Sequence, residues 1–142
     1  MNIGLNLLPM IWKRQIPSFK IGSTTGDKGV VSMVVVSDEI LEKLKNFLNM
    51  ISASGLHLER AILFGSYAKG NANNWSDIDI ALVSKDFTGI GFYDRKRINP
   101  YLIKIDSRIE PHPFRPEDFA RDNPFVDQIL KDAIEITFDN NK

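Results

Sequence analysis

Cysteine is absent from this 142-residue chain, and that gap excludes disulfides, zinc ribbons, iron–sulfur clusters and thiol nucleophiles. Histidine is nearly absent: His57 and His112 are the only two, too few for a metal site built on imidazoles. A divalent cation would have to be held by oxygens, which selects magnesium or manganese. An excess of charge of one sign is also missing. Eighteen Lys and Arg cancel eighteen Asp and Glu, so there is no basic surplus to neutralise duplex phosphates, and no direct nucleic-acid partner is expected. No run approaches the ~20 apolar residues of a membrane span, and no membrane association is expected. The longest apolar stretch, Ile3 to Trp12, has no positive charge before it and is followed by Lys13-Arg14. A signal peptide has the opposite order, so the expected location is the cytoplasm.

What is present is ordinary for one globular domain: 43% hydrophobic and 25% charged residues, at a length near the ~150 residues of a single domain. Residues 1–32, within an N-terminal extension of residues 1–36, show no sustained helical or strand periodicity and hold Pro9, Pro17, Gly22, Gly26 and Gly29. They are expected to form an irregular or partly disordered extension, with Met33 a candidate start and residues 1–32 dispensable. The stretch Gly22 to Gly29 mimics a phosphate-binding loop, but its glycine spacing is short and Asp27 interrupts it, so it is taken as a flexible turn. Regular patterning predicts one domain over residues 37–142. Ser37 is a candidate N-cap, followed by Asp38 and Glu39; Ile40, Leu41, Leu44, Phe47, Leu48 and Ile51 recur at helical spacing, and Gly55 supplies a stop. Arg60–Phe64 is a short buried strand ended by Gly65. Trp75–Val83 alternates, with Ile78, Ile80 and Leu82 on one face and Asp77, Asp79 and Ala81 on the other. A short helix disturbed by Pro100 is expected over Ile90–Leu102. Ile103, Ile105 and Ile109 then suggest a strand carrying Asp106, Arg108 and Glu110 on its other face, with Pro111, Pro113 and Pro116 preventing continuation. Asn123 and Pro124 open a last helix whose buried side is Phe125, Val126, Ile129 and Leu130. Ile134, Ile136 and Phe138 suggest an edge strand.

The chemistry concentrates in Ile62 to Val83. Gly65-Ser66 ends one strand, ten residues intervene, and Asp77-Ile78-Asp79 opens the next. Side chains at i and i+2 of a strand point the same way, so Asp77 and Asp79 project together. Two carboxylates that close repel unless a cation lies between them. Gly65 permits a sharp turn and close backbone approach, Ser66 adds a hydroxyl, and Lys69 can reach a phosphate tail. A triphosphate cradle beside a metal-holding carboxylate pair describes a nucleotidyl-transfer site. Asp106 and Glu110 lie on one strand face, Asp106 fitting a salt bridge with Lys104 or Arg108. His112, between prolines and beside Glu110, fits a rigid turn with an exposed imidazole or, alternatively, a role near the site; His57 fits a loop, and Trp75 a packing residue or one that stacks on a base.

The run FGSYAKG followed, after a loop, by SDIDIALV resembles the signature of the DNA polymerase β-like nucleotidyltransferases, in particular the minimal nucleotidyltransferases of prokaryotes. The resemblance spans roughly Ser37 to Ile136. It implies an α/β (α+β) nucleotidyltransferase fold, a small mixed sheet packed by helices. It further implies Mg2+ or Mn2+ held by Asp77, Asp79 and a third carboxylate, with ATP as donor held by Gly65, Ser66 and Lys69. Arg108 to Phe114 looks like a recurring stretch in a subgroup, and favours Glu110 as the third carboxylate. Catalytic and metal-binding roles thus fall on Asp77, Asp79 and Glu110. Three functions follow: AMP transfer to a partner protein, modification of a small molecule such as an aminoglycoside, or nucleotide binding without turnover. The resemblance favours the first, as antitoxin to a HEPN-domain toxin within a hetero-oligomer; small-molecule enzymes of this kind generally carry an added helical domain.

Overall fold

The structure is a computed structural model and describes residues 36–138. Except for Val36, the expected irregular extension lies outside the described residues, as do the candidate start at Met33 and the turn at Gly22–Gly29. Helix α1, Asp38–Ala53, begins where expected: the Ser37 Oγ accepts a hydrogen bond from the Ile40 N–H at 3.3 Å, and Asp38 and Glu39 occupy the first turn. Ile40, Leu41, Leu44, Phe47, Leu48 and Ile51 are all buried. Strand β1, Leu58–Phe64, leads through Gly65 into a one-turn helix α2, Ser66–Lys69. Then come β2, Ile78–Ser84; α3, Gly91–Ile105; β3, Ile109–Phe114; a 3-10 turn at Pro116–Asp118; α4, Pro124–Lys131; and the two-residue β4, Ile134–Glu135.

The four strands form one mixed sheet in the order β3-β2-β1-β4, with β2/β3 parallel and the other pairs antiparallel. Alternation along the strands sends residues to two unequal layers. Ala61 and Leu63 of β1, with Ile78, Ile80 and Leu82 of β2, pack against α1 and against Ile98 and Leu102 of α3. On the other face Ile62 and Ala81 meet Ile129 of α4, with Phe64, Phe114 and Phe119 around them. This second layer is small, and Asp77 and Glu110 on that side stay exposed.

Three expectations need correction. The strand read from Ile103, Ile105 and Ile109 is mostly helix: α3 continues through Pro100 to Ile105, and only Ile109 is in β3. Pro100 lies on the exposed side, where water can satisfy the carbonyl that loses its partner. Ile98 and Leu102 are the i,i+4 pair that buries this helix, while Ile103 is 68% exposed. Second, β3 runs through Pro111 and Pro113 instead of stopping before them. It is an edge strand, and prolines two residues apart place both missing donors on the same, outer side. Third, Trp75 is 88% exposed, and Phe125 is 45% exposed although its ring meets those of Phe64, His112 and Phe114. Strand β2 starts at Ile78, so Trp75 and Asp77 precede it. The last strand is likewise shorter than expected, although the Ile136 N–H still donates to the Ala61 carbonyl at 2.8 Å.

Asp106 follows α3 and braces the fold. Its carboxylate accepts from Arg108 Nη2 at 2.7 Å and Lys43 Nζ at 2.8 Å, and Arg108 reaches on to the Tyr67 hydroxyl and the Asn74 carbonyl. Arg108 first, and then Lys43, hold Asp106 well below the usual carboxylate range despite its burial. A depressed native pKa adds stability that is present above the unfolded value and lost as pH falls through the folded one. Asp106→Asn should therefore lower the melting temperature by several degrees at pH 7. The gap from the parent chain should shrink on acidification below the ordinary carboxylate range, as followed by thermal melts across pH.

Candidate active site

The parallel register sets Glu110 directly opposite Asp79, and His112 opposite Ala81. Residues 79, 81, 110 and 112 share one face of the sheet by alternation. Asp79 and Glu110 thus become neighbours through strand pairing, though 31 positions separate them in the chain. Asp77, one residue before β2, acts on Glu110, but it is not part of the set of ligand atoms lying within 4.8 Å of one another, which is Asp79, Glu110 and His112. Crowding is visible in Glu110: its pKa is raised first by desolvation, and further by the Asp79 carboxylate and by Asp77, with His112 opposing. A cation among these oxygens would relieve that repulsion.

Gly65 fixes the approach of the turn to Asp79. Its backbone lies at φ 77° and ψ −150°, a region populated almost only by glycine. A Cβ there would run into the Asp79 carboxylate, with Oδ2 nearest and Cγ at 3.2 Å. Ser66 opens α2, whose first N–H groups have no intrahelical partner. Lys69 ends the same helix and shares with Gly65 a small cleft of about 70 Å³, bounded across the gap by Phe125, Gln128 and Asp132. The structure therefore gathers Gly65, Ser66, Asp77, Asp79 and Glu110 around one end of the sheet, with Lys69 beside them. Asp106 is not among them: its partners are Arg108, as expected, and Lys43 instead of Lys104.

His112 departs from the expected turn and takes the alternative position near the site. It lies within β3, not in a turn, and its Nε2 is 3.2 Å from Asp79 Oδ1. Ligand atoms of Asp79, Glu110 and His112 all lie within 4.8 Å of one another. The signal was available, since His112 stands two positions after Glu110; reading Pro111 and Pro113 as breakers favoured the turn. His57 lies in a loop as expected, its backbone and ring bonded to Asp86.

Comparisons with known proteins give the family and the fold. Residues 41–137 match the sequence profile described as nucleotidyltransferase domain. A protein of Methanocaldococcus jannaschii named "Putative protein adenylyltransferase" is 30% identical over 101 residues, covering 69% of this chain and 99% of the relative. A crystal structure described as a "putative nucleotidyltransferase" from Sulfolobus solfataricus superposes with a TM-score of 0.51 at 24% identity, over 68% of this chain and 80% of that one. A toxin-antitoxin structure with AMP-PNP gives a TM-score of 0.50 at 21% identity, over 66% and 73%. At these identities the two structures establish the fold.

Proposed function

The chain belongs to the nucleotidyltransferase domain family, and from that premise we propose that it transfers AMP from ATP to a hydroxyl of a partner protein. The observation that carries this reading is the Gly65 turn pressed against Asp79, with Glu110 opposite in the register. Oxygen donors from Asp77, Asp79 and Glu110 suit magnesium or manganese. The ion, when bound, would polarise the donor phosphate and acidify the acceptor hydroxyl. Ser66 and the free N–H groups of the turn orient the phosphates, and Lys69 neutralises the tail. Glu110 favours deprotonation of the acceptor hydroxyl. The acceptor oxygen then bonds to the α-phosphorus, the bond to the bridging oxygen breaks, and pyrophosphate leaves.

A protein acceptor fits the openness of the site, since Asp77 and Glu110 stand exposed on the sheet rather than at the foot of a pocket. A partner's own surface would close it. The adenylyltransferase name of the archaeal relative and the toxin-antitoxin neighbour both support a protein acceptor. We take the partner to be a HEPN-domain toxin, an assignment by family analogy, with a tyrosine hydroxyl as acceptor and silencing of the toxin as outcome. In an assay with separately labelled ATP, α-phosphate label should remain on the partner while γ-phosphate label leaves in pyrophosphate. Retention of the γ label instead would make the chain a phosphoryl-transfer enzyme.

The third carboxylate has its own test. Glu110→Gln should leave nucleotide binding by calorimetry near the parent value while abolishing transfer. Asp106→Asn should retain transfer at temperatures where it is folded. The reverse pattern would move the role to Asp106.

A further inference from the structure

We propose that His112 is a ligand of the same cation, and that its nitrogen makes this site favour a first-row transition ion such as Mn2+ over Mg2+. The inference rests on the reading of Asp79 and Glu110 as metal ligands and extends their donor set from oxygen alone to oxygen plus imidazole. His112 Nε2 and Asp79 Oδ1 are 3.2 Å apart. Adjacent ligands of an octahedral ion with bonds of about 2.1 Å lie about 3.0 Å apart, and opposite ligands about 4.2 Å. The observed separation therefore suits neighbouring ligands of one ion. The same separation also falls within ordinary hydrogen-bond range, so ring and carboxylate bond to each other where no ion intervenes.

The surroundings aim the ring. His112 stands opposite Ala81, whose methyl side chain leaves room for the imidazole on that face of the sheet. The rings of Phe64 and Phe125 meet it edge-on, with centroids 5.0 and 5.7 Å away. The His112 and Asp79 side chains are 22% and 24% exposed, sheltered but open to an entering ion. Imidazole suits transition cations and is a poor ligand for magnesium, whereas manganese accepts both oxygen and nitrogen.

The test uses Mn2+ alone with the full chain. Electron spin-echo spectra should show nitrogen modulation on the bound ion. The modulation should vanish in His112→Gln, which should also bind Mn2+ roughly tenfold more weakly in calorimetry, with a smaller change for Mg2+. It should persist in His57→Gln. Bound Mn2+ without nitrogen modulation in the parent chain would overturn the proposal and leave the carboxylate site standing, and so would modulation lost in His57→Gln instead. Absence of Mn2+ binding would overturn both. The parent spectrum decides the question even where a variant fails to fold.

Discussion

Asp79→Asn is expected to slow AMP transfer by on the order of 10²-fold, ~2.7 kcal/mol of transition-state stabilisation, without lowering the melting temperature. The two halves of this expectation have one cause. Asp79 faces Glu110 across the β2/β3 register and helps to raise its pKa, so in the chain without a cation its charge repels that neighbour. The amide keeps the shape and removes that repulsion. Glu110, whose raised pKa owes part of its shift to Asp79, should titrate nearer the ordinary carboxylate range in the variant, measurable by NMR. Steady-state transfer rates and a thermal melt are then the deciding pair. Loss of stability matching the loss of rate would make Asp79 a structural residue.

Gly65→Ala should affect both stability and activity, and a control separates the two. The backbone at Gly65 costs a residue with a Cβ about 1–3 kcal/mol, and the new methyl would displace the Asp79 carboxylate. Transfer should fall at least as far as in Asp79→Asn, because the shift moves both the turn and the carboxylate. Gly55 also has a positive φ, of 104°, but a Cβ there meets nothing within 4 Å. Gly55→Ala should therefore lower the melting temperature while retaining transfer. If the two variants lose activity equally when compared at equal fractions folded, the contact with Asp79 has no role in the site.

Much of this was legible in the residues, for local reasons. The α1 stripe and its Ser37 cap, the Asn123-Pro124 start of α4, and the apolar faces of β1 and β2 depend on short-range periodicity and capping, which a linear reading captures. Pairing Asp77 with Asp79 follows from i and i+2 of an extended chain pointing the same way, but β2 begins only at Ile78, and the ligand atoms within 4.8 Å of one another are those of Asp79, Glu110 and His112. Other features depended on where elements lie in space. Pro111 and Pro113 look like breakers unless β3 is known to be an edge strand, and only the parallel register shows that Glu110 stands opposite Asp79. Ile103 and Ile105 imitate strand alternation, yet Ile105 belongs with Ile98 and Leu102 against the core. Trp75 was misjudged because it was placed on β2, whereas it sits in the preceding loop. Its N–H donates to Asn73 Oδ1 at 2.7 Å, and its indole faces outward. The turn expected at His112 gave way to the strand that carries it.

The central claim is transfer of a nucleotide to a protein hydroxyl, and intact mass spectrometry of the partner tests it most directly. The chain would be incubated with ATP, magnesium or manganese, and a HEPN-domain protein as the proposed acceptor, with an aminoglycoside included as a competing acceptor. The HEPN protein is expected to gain the mass of one adenylyl group, AMP less water, with Asp79→Asn and Glu110→Gln leaving it unmodified. An unmodified partner together with a nucleotidylated aminoglycoside would contradict the central claim.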